Sequence, residues 1–234
     1  MKGADGIILA PMGALYSAIT RARLALYRRG ALTIHRINSP VISVGNITTG
    51  GTGKTPLVEW VARAAAREGR HPCVLTRGYG REDAGKRVLV SDGERVLADA
   101  RKGGDEPRLL AESLSGIAAV LSDADRVSAA RWAAEHLKSD LFILDDGFQH
   151  LRLARDLNIV TIDASNPLGD GQTTLDGGQF LPYGRLREPL SGLNRADCVV
   201  LTRCDQADNT ADLTRQIRDL IPAREVGCEV GFGA

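Results

Sequence analysis

The chain has 234 residues, 43% hydrophobic and 25% charged, with 30 Lys and Arg against 29 Asp and Glu. That length suits one large domain or two small ones and is enough to bury a core, and the composition excludes a disordered chain, a collagen-like repeat and a polytopic membrane protein. A net charge of +1 and 4% aromatic residues give neither the basic field nor the stacking platform of a nucleic-acid binder, and four cysteines without a C-x-x-C pair suit a reduced, cytoplasmic compartment.

The positive charge is concentrated at one end. Residues 1–40 hold Lys2, Arg21, Arg23, Arg28, Arg29 and Arg36 against Asp5 alone. Ile8, Met12, Leu15, Ile19, Ala22 and Leu26 recur every three or four positions, which predicts a basic amphipathic helix followed by a short linker, a segment of its own over 1–40. The uncharged run 6–20 is shorter than the roughly 20 residues a bilayer span needs, and a lone Lys2 with no small-residue cleavage site makes a poor signal peptide. The helix reads either as packed on the body of the protein or as interfacial, with its apolar face in lipid and its arginines on anionic headgroups.

Val41-Ile-Ser-Val44 is a short β-branched run that predicts a buried strand. It leads into the glycine-rich stretch 45–53, then Lys54 and Thr55, then a helical pattern over 56–69 carried by Leu57, Val58, Val61, Ala65 and Ala66. Strand, glycine loop, lysine, hydroxyl and helix together form the setting of a phosphate-binding loop. The N–H groups of Gly50, Gly51, Thr52, Gly53 and Lys54 would cradle phosphate oxygens at a helix N-terminus. Lys54 would reach the β- and γ-phosphates, and the Thr55 hydroxyl would take a Mg²⁺ ligand position. The strict G-x-x-x-x-G-K-[ST] pattern wants glycine at 48, where Thr48 stands, so the loop is a variant.

Further along, residues 72–76 read as a strand ending at Arg77-Gly78-Tyr79-Gly80, where Arg77 is either a surface residue or a neutraliser of phosphate charge. Two short apolar runs around Asp92-Gly93 predict a hairpin insertion. In Gly103-Gly104-Asp105-Glu106-Pro107, Pro107 suits the first position of a helix. Asp105 fits either its N-cap or a base for a substrate hydroxyl, with Glu106 near a metal. Strands are predicted at 118–121 and 158–162, and a helix at 125–137. The apolar run 141–144 ends in Asp145-Asp146-Gly147-Phe148-Gln149-His150. Ligands bind off the carboxyl ends of parallel strands, and two adjacent carboxylates repel unless a cation lies between them. The pair therefore reads as a Mg²⁺ site, with an N-cap as the alternative for one Asp. Residues 166–185 are glycine-rich and predict a long ordered loop. Alternating strands and helices predict an α/β protein with a doubly wound, mostly parallel sheet of the P-loop NTPase type.

Several stretches together carry a resemblance: VGNITTGGTGKTPLVEW at 44–60, TRGYG at 76–80, GGDEP at 103–107, DDGFQHLRLARD at 145–156, LPYGRLREPL at 181–190 and LTRCD at 201–205. From about residue 7 to about 221 the chain resembles the tetraacyldisaccharide 4′-kinases of Gram-negative bacteria. The resemblance implies transfer of the ATP γ-phosphate to the 4′-hydroxyl of a lipid A disaccharide precursor, with ATP and Mg²⁺ as cofactors. It also implies a peripheral place on the cytoplasmic face of the inner membrane, through the N-terminal helix. It implies that Lys54 and Thr55 hold phosphate and metal, that Asp145, Asp146 and Glu106 serve the metal, and that Asp105 accepts the proton of the attacking hydroxyl. Arg77, Gln149, His150, Arg187 and Glu188 would line the cleft. Tyr183 and Arg185 depart from the family's loop pattern. The family continues into a second lobe that supplies a histidine, so 41–221 is expected to be the kinase core and 222–234 the start of a lobe that is mostly missing. Two other classes stay open. One is a partitioning or switch ATPase or GTPase, given that Thr202-Arg203-Cys204-Asp205 is faintly similar to the guanine-reading N-K-x-D motif. The other is a homologue that binds nucleotide and lipid without turnover.

Overall fold

The computed structural model describes residues 4–169, 175, 178–221 and 225–228. In chain order the elements are α1 (Ala4–Arg28), β1 (Val41–Gly45), α2 (Lys54–Arg67), β2 (Pro72–Thr76), β3 (Val88–Ser91), α3 (Ala100–Gly103), α4 (Asp105–Ser113), β4 (Ala119–Ser122), α5 (Arg126–His136), β5 (Leu141–Asp145), β6 (Leu157–Asp163), β7 (Cys198–Thr202), α6 (Thr210–Leu220) and β8 (Glu225–Cys228). They form two compact units. The first comprises Met1–Thr33, Asn46–Gly53 and Ile159–Ala234, and the second Ile34–Gly45 and Lys54–Asn158.

In the second unit the strands run in the order β3-β4-β2-β5-β1. The pairs β1·β5, β2·β5 and β2·β4 are parallel, and edge strand β3 is antiparallel to β4. Every residue of β2, β4 and β5 is buried, as expected of parallel strands covered on both faces. On one face Val41, Cys73, Leu75, Ala119, Leu121, Phe142 and Leu144 meet Val127, Ala129, Ala130 and Ala133 of α5. The other face receives α2, through Leu57, Val58 and Val61, and α4, through Leu110 and Ala111. This is the doubly wound α/β arrangement read from the sequence. Burial pushes the Cys73 thiol up to about 12, so it stays a neutral packing group.

Three local expectations change. The predicted hairpin is reduced to β3 and a single bridge, Ser91 to Val96, because β3 pairs with β4 instead. Pro107 is the third residue of α4, not the first, and Gly104 occupies the N-cap, so Asp105 caps nothing. The helix predicted from 56 starts at Lys54.

In the first unit β6, β7 and β8 pair in parallel. Residues 225–228 form the strand β8 alongside β7. Of the predicted loop 166–185, residues 170–174, 176 and 177 lie outside the described residues, as do 222–224 and 229–234 of the terminal segment. Helix α1 forms as predicted, with Pro11 inside it, but its apolar stripe does not face inward. Met12, Leu15, Ile19 and Leu26 are 49%, 63%, 59% and 44% exposed, whereas Gly13 and Ser17 are buried. A Cβ on Gly13 would lie 3.1 Å from the Phe180 carbonyl oxygen and 3.6 Å from Tyr183 Cβ, so the small-residue face is the one that packs. Beside this contact lies a cavity of about 510 Å³ lined by Ser17, Arg21, Gln179, Phe180 and Tyr183, among others.

Candidate active site

The ends of β1 and β5 in the second unit are locked together by residues without side chains. A Cβ on Gly45 would lie 2.6 Å from Phe148 Cβ, and one on Gly147 would lie 2.8 Å from Ser43 Oγ. The Gly147 N–H donates to the Val44 carbonyl at 3.0 Å. This lock aims Asp145 and Asp146 off the carboxyl edge of the sheet. Asp146 adopts φ +51°, a left-handed conformation that Asp tolerates better than most residues. Lys54 Nζ, at the start of α2, lies 3.7 Å from Asp146 Oδ1, and both side chains are largely buried. The lysine of the glycine loop and the acidic strand end, 91 positions apart in the numbering for Lys54 and Asp145, thus meet within one unit.

Charge at this point is only partly compensated. Burial, then the neighbouring Asp146 and Glu106 carboxylates, push Asp145 up to about 6 against the opposing pull of Lys54 and Arg126. Arg126 opens α5, is 4% exposed, and has an Nε with no partner among the described residues. Burial, then Arg77, lower its pKa, while Asp145 and Asp146 raise it. His150 is pulled down to about 4 by burial and then by Arg126, Arg155 and Arg152, so its imidazole is neutral near pH 7. Its Nε2 is buried and has no partner among the described residues. Gln149 is half-buried in the same turn. Two carboxylates, a lysine and a buried guanidinium thus act on one another at the carboxyl edge of this sheet.

Asp105 and Glu106 are held by a second backbone lock. Gly78, at φ +66°, would place a Cβ 2.9 Å from the Gly103 carbonyl oxygen, and Gly104, at φ +99°, one 3.0 Å from the Tyr79 carbonyl oxygen. Only glycine permits both the backbone conformation and the approach. Ser122 Oγ donates to the Gly103 carbonyl at 2.8 Å and ties the loop to the end of β4. Asp105 and Glu106 stand exposed in the first turn of α4. Arg77 is exposed as well, donating to the Tyr79 hydroxyl at 2.9 Å.

The glycine loop 46–53 belongs to the first unit and is braced from below. Asn46 Nδ2 donates to Thr52 Oγ1 at 2.9 Å, and Thr52 Oγ1 lies 2.8 Å from Thr161 Oγ1. The Thr52 hydroxyl is therefore committed inside the protein, and only its backbone N–H remains for a phosphate. The Thr202 hydroxyl lies 3.3 Å from the Thr52 carbonyl, which accepts from it, and a Cβ on Gly53 would lie 3.0 Å from Thr202 Cγ2. Gly50 and Gly53 adopt φ +125° and +71°. The loop 181–190 flanks this one: Thr49 N–H donates to the Arg185 carbonyl at 2.8 Å and Arg187 N–H to the Ile47 carbonyl at 2.8 Å. Glu188 is 1% exposed and bonded to Arg195 at 2.6 Å, with a Cβ on Gly192 excluded by its carboxylate.

Among the described residues no group of three or more His, Cys, Asp and Glu converges on a metal position. Of the four residues expected to serve a metal, Asp145 and Asp146 are brought together, Glu106 registers at Asp145 as a like charge, and Thr55 sits half-buried next to Lys54. Two carboxylates fit Mg²⁺, which keeps several waters and takes its remaining ligands from substrate phosphates. The sequence reading missed Arg126, Asn46, Thr161 and Asp163. Arg126 carried a usable signal, since it follows the carboxyl end of a strand. Thr161 carried none.

The family model described as Tetraacyldisaccharide-1-P 4′-kinase matches residues 6–228. Similar proteins include tetraacyldisaccharide 4′-kinases from Geobacter sulfurreducens, 45% identical over 95% of this chain and 59% of the relative, and from Geobacter metallireducens, 48% identical over 88% and 60%. The crystal structure of an LpxK from Aquifex aeolicus in complex with ATP superposes with a TM-score of 0.77 at 34% identity, over 93% of this chain and 62% of that one. The chain thus spans about three-fifths of the length of these relatives.

Proposed function

The chain belongs to the tetraacyldisaccharide-1-P 4′-kinase family, and from that premise we propose that it carries the phosphate-transferring core of such a kinase. The reaction is transfer of the ATP γ-phosphate to the 4′-hydroxyl of a tetraacyldisaccharide 1-phosphate, a lipid A precursor. The observation that carries the reading is the meeting of Lys54 with Asp146 beside a carboxylate, Asp145, that burial holds up to about 6. A buried, only partly compensated acidic strand end next to a phosphate-loop lysine has a chemical purpose when a metal-bound polyphosphate lies between them.

The roles follow from position. Backbone N–H groups of Gly50 to Lys54 hold the phosphates, and Lys54 bridges toward the transferred group. Asp145, Asp146 and the Thr55 hydroxyl would hold Mg²⁺, with Glu106 in support, and the ion would supply neutralisation of phosphate charge. Asp105 stands exposed at the start of α4 and takes the proton of the sugar hydroxyl as it attacks. Arg126, with its unpaired buried Nε, and Arg77 face the charge that builds on the phosphoryl oxygens. His150 stays neutral and, with Gln149, follows directly on the acidic strand end. Arg187 borders the glycine loop.

The apolar stripe of α1, exposed and bordered by Arg21, Arg23, Arg28 and Arg29, is the face that lies on the anionic inner-membrane surface. No helix of the described residues is long and apolar enough to cross a membrane. The cavity under α1 opens on the same segment and suits part of an amphipathic substrate.

The test is phosphate transfer from γ-labelled ATP to tetraacyldisaccharide 1-phosphate in mixed micelles. Transfer by the wild-type chain, lost in Lys54→Ala by at least about a hundredfold, supports the reading. Tight ATP binding without transfer makes the chain a binding module, and preference for GTP makes it a switch protein.

A further inference from the structure

Arg87 stands just before the edge strand β3, the one antiparallel to its neighbour in the second unit, and no step assigned above uses it. Its guanidinium crosses to the turn that joins β4 to α5. Nε donates to Asp123 Oδ2 at 2.8 Å and Nη2 to Ser128 Oγ at 2.5 Å, while Cζ lies 5.7 Å from the centre of the Trp132 ring. Asp123 in turn accepts the Asp125 N–H through Oδ1 at 2.8 Å. Asp125 Oδ1 accepts the N–H groups of Val127 and Ser128 at 3.1 and 3.3 Å, which caps α5. These bonds close a ring that runs from Arg87 through Asp123, Asp125 and Ser128 back to Arg87. Within the span it encloses, Arg126 is buried, at 4% exposure.

Two features give that ring a task. The first is that Arg126 is hard to keep where it is. Burial and the neighbouring Arg77 disfavour its charge, and its Nε has no partner among the described residues. Asp145 and Asp146 attract it, but a buried cation with an unmet donor swings toward water wherever its backbone can follow. The second is that Arg87 is not an ordinary surface partner. The Asp123 side chain is 11% exposed and that of Arg87 26%, so water screens the pair less than an exposed one. A planar guanidinium that bonds a carboxylate and a hydroxyl and lies against an indole is a rigid brace, which a lysine does not reproduce. All of these residues belong to the second unit. We propose that Arg87 is a positioning residue for phosphate transfer: it fixes the turn between β4 and α5 and so holds Arg126 in its buried place at the carboxyl edge of the sheet. The inference rests on the role given to Arg126 above and adds to it the residue that keeps it there.

The experiment measures kcat and KM for ATP in the transfer assay, for Arg87→Gln alone and in an Arg126→Ala background. Arg87→Gln is expected to lower kcat by about ten- to a hundredfold, the scale of a small displacement of a reacting group's partner, with KM within about twofold of wild type. In Arg126→Ala the same change is expected to lower kcat by less than about twofold, because the two residues act as one unit. Arg87→Lys is expected to recover part of the loss. Equal losses in the two backgrounds would make Arg87 a general prop of the fold and overturn the proposal, as would full activity of Arg87→Gln. Should Arg87→Gln fail to fold with Asp123 left unpaired, Arg87→Gln with Asp123→Asn removes both charges and must show the same dependence on background. A second readout needs no turnover. Exchange of the Arg126 Nε–H with water, followed by NMR, is expected to be at least about tenfold faster in Arg87→Gln than in wild type, and an unchanged rate overturns the proposal. Full activity of Arg126→Ala would sink the role given to that residue and this proposal with it. If the wild-type chain transfers nothing, it is the kinase reading that falls, and the exchange rate still decides whether Arg87 holds Arg126.

Discussion

Two regions of this protein break the ordinary inside-out rule in opposite directions. At the carboxyl ends of β4 and β5, charge is buried: Asp145 at 6% exposure and Arg126 at 4%. Along α1, apolar surface is exposed, with Leu15 and Ile19 more than half open. Buried charge is expensive unless a partner arrives, and an exposed apolar stripe is costly unless something covers it. Each region therefore departs from that rule in its own way, one in buried charge and the other in exposed apolar surface. Departures from local rules of this kind concentrate at functional sites.

The largest effect should come from the acid that stands outside both patterns. Asp105 is exposed and fixed by glycine contacts, so it adds nothing to packing. Asp105→Asn should lower kcat by about 10² to 10⁴, the range of general base catalysis, while ATP affinity measured by titration stays within about twofold of wild type. A matching loss of ATP affinity would place Asp105 among the metal or phosphate ligands instead.

The next effect probes the buried imidazole. His150 has its pKa lowered to about 4, against 6.5 for the free group. As pH falls below 6.5 the unfolded chain takes up a proton that the fold refuses until about 4, so the folded state loses stability across that window. Above it the term is constant. His150→Gln should flatten the acid limb by about 2 kcal/mol at pH 4, read from urea unfolding at several pH values. An unchanged slope between wild type and variant would mean that the imidazole is not buried as described.

Asp145 works with the other sign and a smaller effect. Its folded pKa of about 6 lies above the free value, so the buried carboxylate becomes a burden as pH rises from 4 to 6 and remains one above that. With Mg²⁺ chelated, Asp145→Asn should gain about 1 kcal/mol of stability at pH 8 and nothing at pH 4, while transfer is lost. A loss of stability at pH 8 would show the carboxylate to be well compensated in the free protein, and would remove half of the contrast with α1.

Much of the fold was legible because chemistry and periodicity agree. Apolar runs such as 141–144 ended in the candidate acidic pair, and the Gly-Gly-x-Gly-Lys-Thr sequence carries its meaning in the backbone. Other features were not legible, because they depend on partners distant in sequence. Nothing local says that the Thr52 hydroxyl is consumed by Asn46 and Thr161, or that Glu188 closes on Arg195 inside the protein. Asp105 illustrates a different limit: an acid before a helix suits an N-cap, and only the glycine contacts of Gly78 and Gly104 move the helix start onto the acid itself. For α1 the period was legible, while the facing stayed open between protein and lipid. Helical spacing finds the apolar stripe, but Gly13 and Ser17 allow the closer approach to the segment around Phe180, and backbone proximity decided which side packs.

The smallest effect on the fold is the most telling for that helix. Leu15 and Ile19 touch solvent rather than the core, so the double change Leu15→Ser with Ile19→Ser should shift unfolding stability by no more than about 0.5 kcal/mol, the usual range for surface positions. A single truncation on the buried face of α2, Leu57→Ala, should by contrast cost about 2 to 5 kcal/mol. On vesicles containing anionic phospholipid the order reverses. The α1 double variant should lose at least about tenfold in partitioning, since each side chain contributes roughly 1.5 to 3 kcal/mol on leaving water, and Leu57→Ala should bind as wild type does while it remains folded. Raising salt should weaken wild-type binding through Arg21, Arg23, Arg28 and Arg29 without restoring the variant. If the double variant proved as unstable as Leu57→Ala, the stripe would be covered by protein, and the membrane would lose its claim to this face.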